Sequence, residues 1–478
     1  MAWLRPAGLV IVAGTVLAGA LGAVGTARVT SAAASAYLAS SAPVVAPPTH
    51  ADHIAPILYA NCVPCHRPGQ SAPFSLLSYD DARRRGQTIA DVTARRYMPP
   101  WHAARAAGFV ELRDERRLGD ADIALIKAWV AADMPPGDLA RAPKPPSYPV
   151  GWQLGIPDLI LSLPAPIAVP AEGRDLYRNV TLRVDLPIDR AITAIDYQPT
   201  ARSVVHHALF FVEPADVVVT DADIVPGLGR VLLQGRGRSA GARLGVADDA
   251  WGGLGGWVPG VTPRFFPDGI AQPMPKHSNI VMQLHLHPSG REEREDGKLA
   301  LYFAQTPPQK SLTGVQVPPA FGFAIGLDIP PGETRYLLRD TFALPVDVEA
   351  YGARGHAHHL AREMKMVATL PDGTTRGLLW IQNWDFSWQD SYYFKAPLRL
   401  PKGTRLDVEI VYDNSTDNPR NPSTPPVRVR WGRESEDEMG SLTLLVTAPS
   451  AEDGRTLREA QAQHFREQLA RRLRRQRG

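Results

Sequence analysis

The chain has 478 residues, 44% of them hydrophobic and 21% charged, with a formal net charge of +3. That length exceeds one ordinary core, so roughly two to four domains are expected, and the near-balanced charge gives no electrostatic case for a nucleic-acid partner. The 45 prolines and 40 glycines are scattered without a repeat, which excludes a solenoid or a long-helix architecture and favours short strands joined by turns.

At the N-terminus one Arg precedes an apolar, Gly- and Ala-rich run from Ala7 to Ala27, and small residues follow. Residues 1–30 therefore read as a signal peptide or N-terminal anchor. The protein is expected to be exported, to the periplasm or the outer face of the cytoplasmic membrane. A flexible linker over 31–48 ends in SSAPVVAPP.

Both cysteines of the chain sit in Cys62-Val63-Pro64-Cys65-His66. Two such thiols could form a disulfide or a redox pair. The histidine that follows favours another use: thioethers to the vinyl groups of a haem, with His66 as axial ligand. His53–Leu58 can start a helix into the motif. Asp120–Ala131 carries Ile123, Ile126 and Val130 at helical spacing, opened by an Asp able to cap free amides. Between them, Met98-Pro99-Pro100-Trp101-His102 resembles the sixth-ligand loop of class I cytochromes c. The resemblance gives Met98 the sixth-ligand role, with His102 and Met134 as competitors. A Met/His iron is coordinatively closed and moves electrons rather than binding oxygen. A cytochrome c domain is thus expected over 49–140, then a proline-rich linker over 141–154.

Beyond it, runs such as Ile280–His287, Leu406–Tyr412 and Ser441–Val446 alternate between turn residues, the pattern of antiparallel all-β sandwiches. Three histidine groups fall there: His206-His207, Gln283-Leu-His285-Leu-His287, and Gly355-His-Ala-His-His-Leu. Strand alternation puts His356 and His358 on one face with His359 turned away, and pairs His285 with His287. His206 and His207 can share an ion only at a strand end or bulge. His277, His287, His359 and His464 read as ordinary structural histidines. Nitrogen-only ligands fit zinc or copper, and spacing alone allows a four-histidine zinc hydrolase site from 285/287 and 356/358. Glu436-Asp437-Glu438-Met439-Gly440, just before an apolar strand, offers a thioether, and sulfur beside imidazole selects copper.

Together these motifs resemble the copper type II, ascorbate-dependent monooxygenases, the family of the peptidylglycine- and dopamine-hydroxylating enzymes, over residues 155–448. The resemblance implies two jelly-roll-like domains, 155–310 and 311–450, that face a solvent-filled cleft and hold one copper each. It assigns His206, His207 and His285 to the first copper. It assigns His356, His358 and Met439 to the second, catalytic copper, which overrides the four-histidine set. Arg354 matches the family's ligand for a substrate carboxylate. Ser441 and Thr443 stand where the peptide hydroxylase has substrate-binding Asn and Tyr, so a glycine-extended peptide is not the expected substrate. The expected fold class is multidomain: a small all-α cytochrome c domain followed by two all-β jelly-roll-like sandwiches. The expected activity is hydroxylation of a C–H bond of a small substrate with O2, using two copper ions and one covalently bound haem c fed by an external electron donor. The alternative is a non-enzymatic haem and copper protein that carries electrons or senses.

Residues 451–478 place Leu457, Phe465, Leu469 and Leu473 on one helical stripe with arginines elsewhere. Such a helix lies on an anionic membrane surface, grips an acidic partner or docks on the body of the protein.

Overall fold

The alternating runs of the C-terminal two thirds fold as antiparallel strands. The computed structural model describes residues 46–70, 72–149, 151–216, 254–267, 269–432 and 434–476. The expected signal or anchor segment, 1–30, and nearly all of the 31–48 linker lie outside the described residues.

The first ten strands are β1 (Leu159–Ser162), β2 (Ile167–Val169), β3 (Leu176–Leu182), β4 (Arg190–Gln198), β5 (Val205–Pro214), β6 (Gly256–Trp257), β7 (Gln272–Met274), β8 (Ser278–Leu286), β9 (Glu293–Glu295) and β10 (Lys298–Phe303). They form the sheets β1-β10-β4-β7 and β3-β8-β5-β6, with β2 and β9 paired separately. Leu161, Ile192 and Leu301 from one sheet pack on Phe210, Met282 and Leu284 from the other.

The second ten are β11 (Thr313–Val317), β12 (Asp328–Ile329), β13 (Tyr336–Ala343), β14 (Val348–Ala357), β15 (Ala361–Thr369), β16 (Thr375–Ile381), β17 (Ser391–Leu400), β18 (Arg405–Tyr412), β19 (Val429–Arg430) and β20 (Gly440–Thr447). Their sheets are β11-β20-β14-β17 and β13-β18-β15-β16, with β12 and β19 paired. Val315, Ala350 and Leu444 meet Leu338, Met364 and Ile410 in a second core. In both sandwiches the strand order of the two four-stranded sheets is that of a jelly roll.

Alternation decides what each sheet shows outside its core. On β8 the residues Ile280, Met282, Leu284 and Leu286 enter the core, so Val281, Gln283 and His285 face the other way. All nine residues of β8 are nevertheless buried, so something covers that outer face. On the neighbouring β5 the outer face meets the second sandwich, where Leu209 and Phe211 pack on Phe321, Met439 and Trp431.

One expectation is corrected. Among the described residues no separate all-α cytochrome domain precedes the sheets; they are mostly β-sheet with few helices. Helices α1 (Ala55–Asn61), α2 (Tyr79–Arg84), α3 (Gly86–Ala94) and α4 (Asp120–Ala131) gather around Leu58, Ile126 and Trp129, but they belong to the same compact unit as the sandwiches, Pro47–Gly478. The reason lies between α3 and α4. That stretch has no helical spacing and runs extended along the second sandwich, bridging Ala103 to Ile381, Phe109 to Gly377 and Leu112 to Phe394. Ala103 is part of the second sandwich's core. At the start of α4 the capping position is Gly119, and Asp120 lies in the first turn, where its charge meets the positive end of the helix dipole.

The C-terminal helix α5 (Ala451–Arg475) is capped by the Ser450 hydroxyl, which accepts from the Asp453 amide at 3.1 Å. Its stripe is docked: Leu457 joins the second core and Phe465 packs on Ala320 and Ala324, while Leu473 stays exposed. Among the described residues no helix is long and apolar enough to cross a membrane.

Candidate metal centre

His206 and His207 are neighbours in sequence on β5, and the pairing of β5 with β8 slips by one residue between Val205 and His207. The slip is a β-bulge, which turns adjacent side chains toward one side. His285 on β8 lies directly across from His207. The Nδ1 atoms of His206 and His207 are 3.2 Å apart, and those of His285 and His207 3.4 Å. One nitrogen from each of the three rings falls within 4.8 Å of the others, so this cluster can hold a metal ion.

A partner on the far side sets the His285 ring. Its Nε2 lies 2.7 Å from Asp175 Oδ2, and Tyr177 stacks on its face at 4.3 Å. The same carboxylate takes His287 Nδ1 at 2.6 Å and the Ser435 hydroxyl at 2.5 Å. Burial pushes the Asp175 carboxyl up, but the hydrogen bonds from His285, Ser435 and His287 outweigh it and hold the group well below the carboxylate range. Burial, then the neighbouring His285, pulls His206 down to about 3, and His207 falls well below its ordinary value for the same reasons. Neutral imidazoles with converging nitrogens and a carboxylate behind one of them are what a transition metal requires.

The second group forms on the second sandwich. His356 faces Ser441 and Ala357 faces Gly440 at the end of the β14–β20 pairing, and just past it His358 bonds to Glu438 and to the Asp437 carbonyl, beside Met439. Residues opposite each other in an antiparallel pair share a face, which puts His356, His358, Met439 and Ser441 together on the outer side. Phe321 confirms the proximity, with its ring 4.8 Å from that of His356 and packed on Met439. His356 Nδ1 donates to Gln389 Oε1 at 2.6 Å, and His358 Nδ1 donates to the Asp437 carbonyl at 3.0 Å. These bonds fix the tautomers with the proton on Nδ1, so Nε2 is the nitrogen through which each ring could ligate a metal. Burial lowers His356 to about 4 and His358 well below its ordinary value.

The Met439 backbone is held from both sides. The buried Glu438 carboxylate accepts the amides of His358 at 2.5 Å, Leu360 at 2.8 Å and Met439 at 2.8 Å. Tyr412 donates its hydroxyl to the Met439 carbonyl at 2.9 Å, and only a glycine at 440 lets it approach, because a Cβ there would collide with that hydroxyl.

Phe386 stands between the two groups. His206 stacks on its ring at 4.5 Å, and His358 meets it at 5.5 Å. His207, His285, His356, His358 and Met439 are all at most 8% exposed. The solvent-filled cleft that the resemblance implies is therefore replaced here by an aromatic ring and an apolar patch. His359, expected to point away, also packs on Phe386, at 4.5 Å. His287 and His464 each find a carboxylate, Asp175 and Asp340 respectively. The four-histidine set does not form around one point, because His285 gathers with His206 and His207 instead.

Arg354, two residues before His356 on the same face of β14, lines a cavity together with Arg202, Trp257, Arg264, Asp390 and Tyr393. Both thiols of the Cys62/Cys65 pair are partly buried and not joined in a disulfide. Burial pushes the Cys62 thiol up to about 12 and also raises Cys65, which feels Arg116 and Asp390. His66 Nδ1 lies 3.3 Å from the Phe74 carbonyl, an arrangement that leaves Nε2 as its ligand nitrogen and so fits an axial imidazole. Met98 follows α3, half-buried, with its amide bonded to the Val92 carbonyl at 3.2 Å. The thioether packed on the helical core is instead that of Met134. His102 lines a small cavity beside Arg116, Gln389 and Asp390.

Sequence reasoning found the histidines and the Glu436–Gly440 segment with Met439 but missed Asp175, Gln389 and Phe386. None of these has a motif, and each reaches the site from a distant part of the chain.

Neither a protein-family model nor a curated protein sequence matches the chain. Among solved structures, PNGF-II is similar at 10% identity and a TM-score of 0.28, over 61% of this chain and 65% of that one. The chain thus spans just under two thirds of PNGF-II. The infectious bursal disease virus VP2 subviral particle is similar at 9% identity and a TM-score of 0.18, over 64% and 76%. The major capsid protein P2 of bacteriophage PM2 gives 11% identity and a TM-score of 0.22, over 54% and 99%. Similarities this low carry no argument about what this chain does.

Proposed function

We propose that this is an exported copper-dependent monooxygenase of the type II, ascorbate-dependent kind, hydroxylating a C–H bond of a small molecule. One substrate C–H bond and O2, with two electrons and two protons, give C–OH and water. His206, His207 and His285 would hold one copper, and His356, His358 and Met439 the other. Cys62, Cys65 and His66 would hold a haem c, with Met98 as its candidate sixth ligand. The coppers supply one-electron chemistry toward O2, and the haem supplies a relay from an external donor.

The observation that carries the reading is the convergence of Met439 and the His-x-His pair at the end of the β14–β20 pairing, where Phe321 packs on both His356 and Met439 and His358 bonds to Glu438 and Asp437. A sulfur with two imidazoles is a donor set for copper rather than zinc. The protein's own residues do the rest. Gln389 and the Asp437 carbonyl hold the two rings by Nδ1, and the apolar patch around Met439 keeps bulk water away. Arg354, which lines the adjoining cavity, would be the residue that meets an anionic group of a substrate. Arg116, from the segment after the haem motif, pairs with Asp390, the neighbour of Gln389, so the motif's segment is tied to the second group.

The test is copper analysis joined to oxygen uptake driven by reductant over a panel of small substrates. Two coppers per chain with substrate-dependent uptake support the proposal. The burial of both histidine groups favours one other reading, a non-enzymatic carrier of electrons. That protein would cycle reversibly between redox states and show no substrate-dependent uptake.

A further inference from the structure

Ala320 and Phe321, successive non-glycine residues, both lie in the left-handed region, at φ 51°, ψ 42° and φ 52°, ψ 38°. Both are buried. A backbone like this is strained for residues with a Cβ and persists only where the surroundings impose it.

The surroundings that impose it trace to the C-terminal helix. The Ala320 amide donates to Gln316 Oε1 at 2.9 Å, and Gln316 Nε2 donates to the Ser441 hydroxyl at 3.1 Å. The Gln316 amide in turn donates to Gln461 Oε1 of α5 at 3.2 Å. Farther along α5, Phe465 packs on Ala320 and Ala324, and Arg472 donates to the Phe323 carbonyl at 2.6 Å while lying over the Phe323 ring. At the other end of this chain of contacts, Phe321 touches the His356 ring and Met439, and Ser441 is the β20 partner of His356.

We infer that α5 is the positioning element of the second metal centre: through Gln461, Gln316 and Arg472 it holds the 320–321 turn in its strained form, and Phe321 is the positioning residue that sets His356 and Met439. The inference rests on the proposed role of that centre. It gives the basic tail a task inside the protein rather than on a membrane, and it explains why a solvent-facing, arginine-rich helix buries a glutamine.

The experiment compares the full-length chain with Gln461→Leu, which removes the acceptor for Gln316, and Arg472→Ala, which acts from the half-exposed side and spares the core. Amide hydrogen exchange over residues 319–326 is read in the metal-free proteins, and copper affinity by chelator competition. Each variant should speed exchange in that segment by about tenfold or more and weaken the second copper by about tenfold, with the first copper unchanged. Wild type binding two coppers, with both variants at wild-type values in both readouts, overturns the role of α5 alone. Wild type binding fewer than two coppers overturns the reading of the second centre instead.

Discussion

Gln389 accepts the Nδ1 proton of His356 at 2.6 Å, and this single bond decides which ring nitrogen faces the candidate centre. Gln389 is itself fixed, donating its Nε2 to the Phe386 carbonyl at 3.1 Å. Replacing it by Leu keeps the bulk and removes the acceptor. Gln389→Leu should weaken copper at the second group by about tenfold or more while the first group keeps its affinity. Chelator competition with site-resolved electron paramagnetic resonance measures both.

Asp175 plays the corresponding part for the first group and also joins the two sandwiches through Ser435. Asp175→Asn retains the shape but loses the charge that orients His285. First-site copper affinity should fall about tenfold. The unfolding midpoint should drop as well, because the bond to Ser435 weakens. A variant that binds the first copper as tightly as wild type would remove Asp175 from the account.

His50 gives a pH dependence away from the metal ligands. It is 2% exposed, neither ring nitrogen has a hydrogen-bond partner among the described residues, and it packs against Tyr79 and Trp129. Burial lowers its pKa below the ordinary 6.5. A depressed histidine favours the unfolded state on protonation, so its contribution is complete above pH 6.5 and is lost as the pH falls below that value. The loss is at most about 1.4 kcal/mol per pH unit. Melting curves of the metal-free chain between pH 7 and 5 should fall less steeply in His50→Leu than in wild type. Equal slopes would show that His50 does not titrate on unfolding.

How much of this could be read from residues alone follows from what pattern can carry. Period-two alternation marked the strands, and it placed His356 and His358 on one face because two residues along a strand return to the same side. It also let His206 and His207 share an ion only at a strand end or bulge, and the β5–β8 pairing slips there. The helical segment misled, since Cys62–His66 and the stripe near Ile126 resemble one self-contained unit, while the extended 101–118 stretch that ties it to β16 and β17 has no periodic signal. The supporting residues were silent for a different reason. A glutamine at 389 or an aspartate at 175 looks like any polar loop residue until the fold brings it within 3 Å of a histidine. The solvent-filled cleft was implied by resemblance. It gave way because Leu209 and Phe211, on the outer face of β5, have an apolar partner in Phe321 and Met439.

The central claim is that a thioether and two imidazoles from distant parts of the chain bind one copper, and X-ray absorption at the copper edge of the cuprous protein tests it most directly. The account predicts a sulfur scatterer on one of two coppers in wild type, absent in Met439→Ile together with substrate-dependent oxygen uptake. Identical nitrogen-only spectra from wild type and Met439→Ile would contradict it.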